Sequence, residues 1–459
     1  MASFTLRGRG QQTIGIQLPD GRTVEAIEDK KTIRWLGVLF DRKMSFKAHV
    51  KEACCRASKV VNGIKVLAGC YKGAPTLKAV RACVLPILTY GYQAWWPTPD
   101  TRRITTMTTE LDKVIRRAVR TALPPVYRTT PSHLLSHAAG IPLEMVLDDL
   151  MHGEAIRMSI IDPTHISRFR RFNGKTDRIL EMLLKPICPV YYLRYSGPRP
   201  TPPAEKPLDK ETEAKRHTER RRLAPPTDAW VYSDGSMKER NTGAGWAIYQ
   251  GDTLLSEGRK HCGKWMEVAD AEAEAALEAL KAALEHAPLD STNLWLCLDN
   301  GSVVEAINTK VDRVGTSQPT IDKIRERLCS WRFHGDGRAT WVPGHASLPG
   351  NERADKLVKE GAELPRAGEE SWMTLARARR WKKEWLLSSR FEAWWRQQRK
   401  PNHLGNQLEP PKPWKSKQYK SLNRVSVGRV LAARSDFADY HERGNLPPTP
   451  GRAQKATLD

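Results

Sequence analysis

"VYSDGSMKERNTGAGWAIY", residues 231–249, decides how the chain reads. An apolar run leads into Asp234, a Gly-Ser turn is expected next, and an alternating stretch then returns as a second strand. A carboxylate at the end of a buried strand is costly unless something pairs with it. The neighbouring sequence must therefore supply what compensates Asp234.

Residues 228–364 hold 22 acidic and 16 basic residues, a net of −6 inside a chain of +23. The flanks therefore carry all of the excess positive charge, which points to a polyanion, most often nucleic acid, as partner. Basic arms around an acidic island suit a metal-binding unit whose neighbours hold a phosphate backbone. Eight cysteines occur without any C-x-x-C pair and none beyond Cys329, which excludes a zinc ribbon and a secreted disulfide framework. The N-terminus MASFTLRGRG has no apolar core of a secretory signal. A reduced, intracellular compartment is expected. The apolar stretch CVLPILTYGYQAWW (83–96) is too short to span a bilayer, so no membrane association is expected.

Within the island four carboxylates stand at telling places. Asp234 ends the first strand. Glu272 lies in the first turn of VADAEAEAALEALKAAL (268–284), an alanine- and leucine-rich amphipathic helix. Asp299 closes NLWLCLDN, where Leu294, Leu296 and Leu298 face one side and Trp295, Cys297 and Asp299 the other. Asp355 sits one turn into a helix that Asn351 is expected to cap. Each alone is an ordinary strand-end or helix-start acid. Together they alternate strand, helix, strand, helix, so the strands of Asp234 and Asp299 can lie parallel with their carboxyl ends at one edge. Carboxylates converging there repel unless a cation lies between them, and oxygen-only ligation selects Mg²⁺ or Mn²⁺ over zinc.

The series YSDGS, AEAEAALEAL, LDN and WVPGHASLPGNERADKL resembles type 1 ribonuclease H in order and spacing, over about residues 228–364. The resemblance implies an α/β fold, a mixed five-stranded sheet with flanking helices. It implies a Mg²⁺-dependent endonuclease that cuts the RNA strand of RNA–DNA hybrids. Asp234, Glu272, Asp299 and Asp355 would bind two Mg²⁺ ions, with Mn²⁺ as a substitute, and His345, ten residues before Asp355, would assist proton transfer or product departure. Glu272 and Glu274 compete for one role; the family pattern of alanines three and seven residues on, then leucine, fits Glu272 with Ala275, Ala279 and Leu280. Ala346 departs from the glycine that many relatives carry after the histidine.

The flanks divide further. Residues 1–40 read as short strands around the Pro-Asp-Gly of TIGIQLPDGRTVEAI, and about 43–160 as helices. TIRWLGVLFDRKMSFKAHVKEAC (32–54), LPILTYGYQAWWP (85–97) and YRTTPSHLLSHAAGIPLEMVLDDL (127–150) resemble the region after the polymerase palm in LINE-like (non-LTR) retrotransposon reverse transcriptases. No Y-x-D-D is present, and the acids of VLDDL (146–150) read as a solvated helix face. The chain thus looks like the C-terminal portion of a retroelement polyprotein. Its expected divisions are a mainly helical remnant at 1–195, a Pro-rich charged linker at 196–227, the nuclease domain at 228–364 and a basic Trp/Arg-rich tail at 365–459. KRHTERRR (215–222) has the composition of a nuclear import signal and equally of a solvated basic linker. The tail's RARRWKKEWLLSSRFEAWWRQQRK (377–400) either stacks on nucleic acid or packs on the body. SVGRVLAARSDFADYHERGN (425–444) is similar to the segment that precedes a zinc knuckle in such elements, and no cysteine follows it. A catalytically weak or inactive nucleic-acid-binding relic is the competing reading.

Overall fold

The computed structural model describes chiefly residues 32–68, 78–96, 105–121, 143–160, 209–309, 317–365 and 372–385, with small gaps inside these spans and a few residues besides. The chain divides into two compact units, residues 1–152 with 383–459, and residues 153–382.

The first unit opens with two hairpins. β1 (Ile16–Gln17) and β2 (Thr23–Val24) pair antiparallel, and β3 (Thr32–Trp35) pairs with β4 (Val38–Asp41). The Asp41 carboxylate accepts from the Ser45 amide (2.9 Å) and the Phe46 amide (2.6 Å), and so fixes the entry to α1 (Lys47–Ala68). Val50, Ala53, Ala57, Val61 and Ile64 form its buried stripe, at the spacing expected of an amphipathic helix. A π-helical turn, Val80–Val84, runs directly into α2 (Leu85–Leu88), and α3 (Tyr92–Trp95), α4 (Thr105–Arg120) and α5 (Leu143–Ser159) follow. The helical reading of this region holds, with one correction. Asp148 of VLDDL is fully buried rather than solvated, and accepts a hydrogen bond from Trp96 Nε1 at 2.9 Å.

The second unit is built on five strands: β5 (Ala229–Lys238), β6 (Asn241–Gln250), β7 (Thr253–Gly263), β8 (Leu294–Leu298) and β9 (Gly337–Trp341). Their order is β7-β6-β5-β8-β9; β5–β6 and β6–β7 are antiparallel, β5–β8 and β8–β9 parallel. The turn expected at Gly235-Ser236 lies instead at Glu239-Arg240, both with positive φ, because β5 stays paired with β6 as far as Lys238↔Asn241. Gly235 remains in the strand for a packing reason described below.

Alternation along the strands gives the sheet two apolar faces. Ala229, Val231, Leu294, Leu296, Leu298 and Ala339 pack against α7 (Val268–His286), α8 (Gly301–Asn308) and α9 (Gln318–Ser330). On the other face lie Trp230, Tyr232 and Cys297, with Val342, Leu348 and Ala354. α10 (Pro349–Glu363) crosses that face close to β6, where Gly243 and Gly245 leave room for its backbone at Val358 and Ala362.

Part of the segment read as a linker is a helix, α6 (Lys210–Leu223), capped by Asp209, whose side chain accepts from the Thr212 amide. It packs on the second sheet face through Ala214 and the buried His217, which meets Tyr232 Oη at 2.9 Å. Burial pushes the His217 imidazole down to about 4, so it packs as a neutral ring. Part of the tail is also helical: α11 (Leu375–Glu384) buries Leu375, Arg377 and Ala378. The proposed binding stretch beyond residue 385 lies outside the described residues.

Candidate metal centre at the carboxyl edge of the sheet

The parallel register that pairs Ser233 with Leu298 ends one residue before Asp234 on β5 and Asp299 after β8. Two strands running in the same direction thus deliver both carboxylates to one edge. Glu272 arrives from α7, whose backbone at Ala271 and Glu272 lies against Gly235 so closely that a Cβ there would collide with it. This close approach explains a glycine inside β5. Asp234, Glu272 and Asp299 each place a carboxylate oxygen within 4.8 Å of the others.

Surrounding groups fix these acids in place. Asp299 is anchored through its carbonyl, which accepts from Trp341 Nε1 at 2.9 Å, and its carboxylate takes a hydrogen bond from Asn351. Asn300 opens α8, accepting from the Ser302 amide at 3.1 Å, and its side chain also bonds Glu272. Asn351 is therefore not the helix cap expected of it. Leu348 holds that position with Pro349 at the first helical residue, and Asn351, buried in the third, turns to Asp299. The sequence signal for Asn300 was its place directly between an edge aspartate and a helix start.

Electrostatics at the edge are unfavourable without a counter-ion. Burial, then the charges of Asp299 and Asp355, push Asp234 up to about 7. Burial, then Asp234 and Asp299, push Glu272 up to about 9, and its Oε2 is buried with no hydrogen-bond partner. Asp299 is raised mainly by burial, against the nearby His345 charge and the Asn351 bond. An orphaned buried oxygen amid three mutually repelling carboxylates fits a hard divalent cation with oxygen ligands.

The remaining candidates sit around this trio. Asp355, on α10, lies outside the group of three; Lys359 one turn on donates to it at 2.6 Å, yet its charge reaches Asp234. His345 is exposed on the loop before α10 with φ 54°, beside Gly344, where a Cβ would stand 2.6 Å from Asp299 Oδ2. Glu274, the competitor of Glu272, points to Lys260 of β7, which donates to it at 3.0 Å.

A mixed five-stranded sheet with flanking helices and acids converging on its edge is the ribonuclease H fold. Residues 226–363 match the family model described as RNase H, and so form an RNase H domain within a longer chain. The chain is similar to RNase H1 from the halophilic archaeon Halobacterium salinarum NRC-1 (26% identity, 29% of this chain, 96% of that chain, TM-score 0.24). It is similar to LC11-RNase H1, isolated from compost and solved in complex with an RNA/DNA hybrid (21%, 30% and 97%, TM-score 0.25). It is also similar to the Prototype Foamy Virus protease–reverse transcriptase (21%, 30% and 21%, TM-score 0.25).

Proposed function

We propose that the chain is a Mg²⁺-dependent endoribonuclease that hydrolyses the RNA strand of RNA–DNA hybrids. The observation that carries this reading is the trio Asp234, Glu272 and Asp299, the first two buried, with its orphaned oxygen, inside a domain that matches RNase H. Asp234, Glu272, Asp299 and Asp355 would hold two Mg²⁺ ions, whose chemistry there would be activation of the attacking water and stabilisation of the departing 3′ oxygen. Asn300 and Asn351 orient Glu272 and Asp299 through their hydrogen bonds. His345, exposed and close to Asp299, would carry a proton at the mouth of the site or aid product departure. Recognition would rest on hybrid geometry, 2′-hydroxyls and phosphates rather than on sequence.

The flanking resemblance supports an origin in a LINE-like retroelement, where such an activity would clear template RNA after first-strand synthesis. An intracellular location follows from that reading, nuclear if KRHTERRR serves as an import signal.

The deciding assay is cleavage of a labelled RNA–DNA hybrid with Mg²⁺, with duplex RNA and duplex DNA as controls. Asp299→Asn removes a ligand charge at equal shape and is expected to lower cleavage at least 100-fold, on the order of one lost transition-state charge contact. Binding without cutting by the unaltered protein would instead identify an inactive relic. Normal turnover by Asp299→Asn would overturn the site assignment.

A further inference from the structure

The RNase H match ends at residue 363, yet the chain beyond it returns to the helix that bears Glu272. Met373 forms a parallel bridge with Ile187, donating from its amide to Pro186 O (2.7 Å) and accepting from the Cys188 amide (2.8 Å). The Thr374 amide donates to Trp265 O at 2.8 Å. Behind these bonds Met373, Leu375 and Ala378 are fully buried in a cluster with Ile156, Ile160 and Ile187. This small core is built from residues on both sides of the matched domain.

Its polar side meets the first turn of α7. Thr374 Oγ1 donates to Asp270 Oδ2 at 2.6 Å, and the same oxygen accepts the Glu267 amide at 3.0 Å. Ser317, just before α9, donates to Asp270 Oδ1 at 2.6 Å. Glu267, at the helix cap, accepts from Arg377 Nη1 (3.3 Å) and Arg380 Nη1 (2.8 Å). Asp270 is buried and two residues ahead of Glu272, so the turn that carries the metal-site glutamate is clamped by side chains from outside the domain.

We propose that Thr374, with Arg377, is a positioning residue. It acts through Asp270 and Glu267 to fix α7 axially, and hence the distance of Glu272 from Asp234 and Asp299. The inference rests on Glu272 being a metal ligand, as read above. A helix with a loose first turn would leave Glu272 free to withdraw from carboxylates that repel it. Position, rather than hybrid contact, is what Thr374 supplies.

The test compares full-length wild type, Thr374→Val and Thr374→Ser. Valine keeps the shape and removes the hydroxyl; serine restores it. Calorimetric titration with Mn²⁺ reads metal affinity, and hybrid cleavage reads kcat and KM. Loss of one buried hydrogen bond predicts roughly a 3- to 10-fold weaker metal affinity and lower kcat for valine, with KM within twofold of wild type and serine near wild type. Equal metal affinity and kcat in valine and wild type would overturn the proposal, as would equal losses in valine and serine. If wild type binds Mn²⁺ without cutting, the nuclease reading fails, while the affinity comparison still decides the positioning role. If wild type binds no Mn²⁺, both fail.

Discussion

Asp234 and Glu272 bind protons more tightly folded than unfolded, since burial and mutual repulsion raise both above the ordinary carboxylate range. The folded state therefore takes up protons between about pH 4 and the raised values near 7 and 9, and stability without metal falls as pH rises through that window. A tenfold change in proton affinity is worth about 1.4 kcal/mol, so Glu272, raised furthest, contributes most. In EDTA, hydrogen exchange of peptides from β5 and α7 should accelerate from pH 6 to pH 9 beyond the intrinsic rate, and Mg²⁺ should reverse it. Exchange that ignores Mg²⁺ at pH 9 would show that no cation answers the charge. The trio itself was legible in the sequence, because strand alternation fixes which residues reach the edge and the resemblance to type 1 ribonuclease H, through its alanine and leucine pattern, separated Glu272 from Glu274. Asn351 was misread, because a polar residue near a helix start looks like a cap whichever way its side chain turns.

At the scale of elements, α8 depends on a buried cation. Arg325 of α9, 1% exposed, donates to Ala306 O (2.6 Å) and Ile307 O (3.1 Å), the terminal carbonyls of the helix that follows Asp299. Replacing it by leucine removes this donor from both carbonyls, while Asp322 keeps the Gln318 side-chain amide at 2.7 Å. The Arg325→Leu variant should lose about 3 kcal/mol, read as a lower midpoint for the unfolding transition that Mg²⁺ raises. An unshifted midpoint would mean that α8 is held by its apolar face alone. α6 shows why one helix escaped the sequence reading. Between Lys210 and Leu223 apolar residues are almost absent, so no 3.6-residue stripe exists to find. It docks through the neutral His217 on Tyr232, a contact that only the folded sheet creates. Its local signals were the cap, Asp209, and the charges at its ends, Glu211 and Glu213 in the first turn and Arg220, Arg221 and Arg222 in the last.

For the molecule as a whole, charge is distributed against the domain. Residues 386–459 carry 14 basic and 6 acidic residues, while the island that holds the carboxylates is net acidic. Removing that stretch should weaken hybrid binding and flatten its dependence on salt, because fewer counterions are released on association. An unchanged slope from about 50 to 200 mM salt would assign the tail to packing instead. A cut after residue 385 is the informative one, since residues 372–384 belong to the clamp on α7. The divisions at 365 and 228 followed composition, which cannot register that segments distant in sequence close a core together.

The bridge between Ile187 and Met373 also bears on how the chain carries force. Two backbone hydrogen bonds tie residues 186–188, ahead of the RNase H match, to Met373, which follows it. Tension along the chain, as from a translocating protease, would load this clasp in shear before it reached the sheet. The carboxylate edge would thereby be shielded from pulling. In an optical trap, the clasp should release as a small first step ahead of the cooperative rupture of the domain.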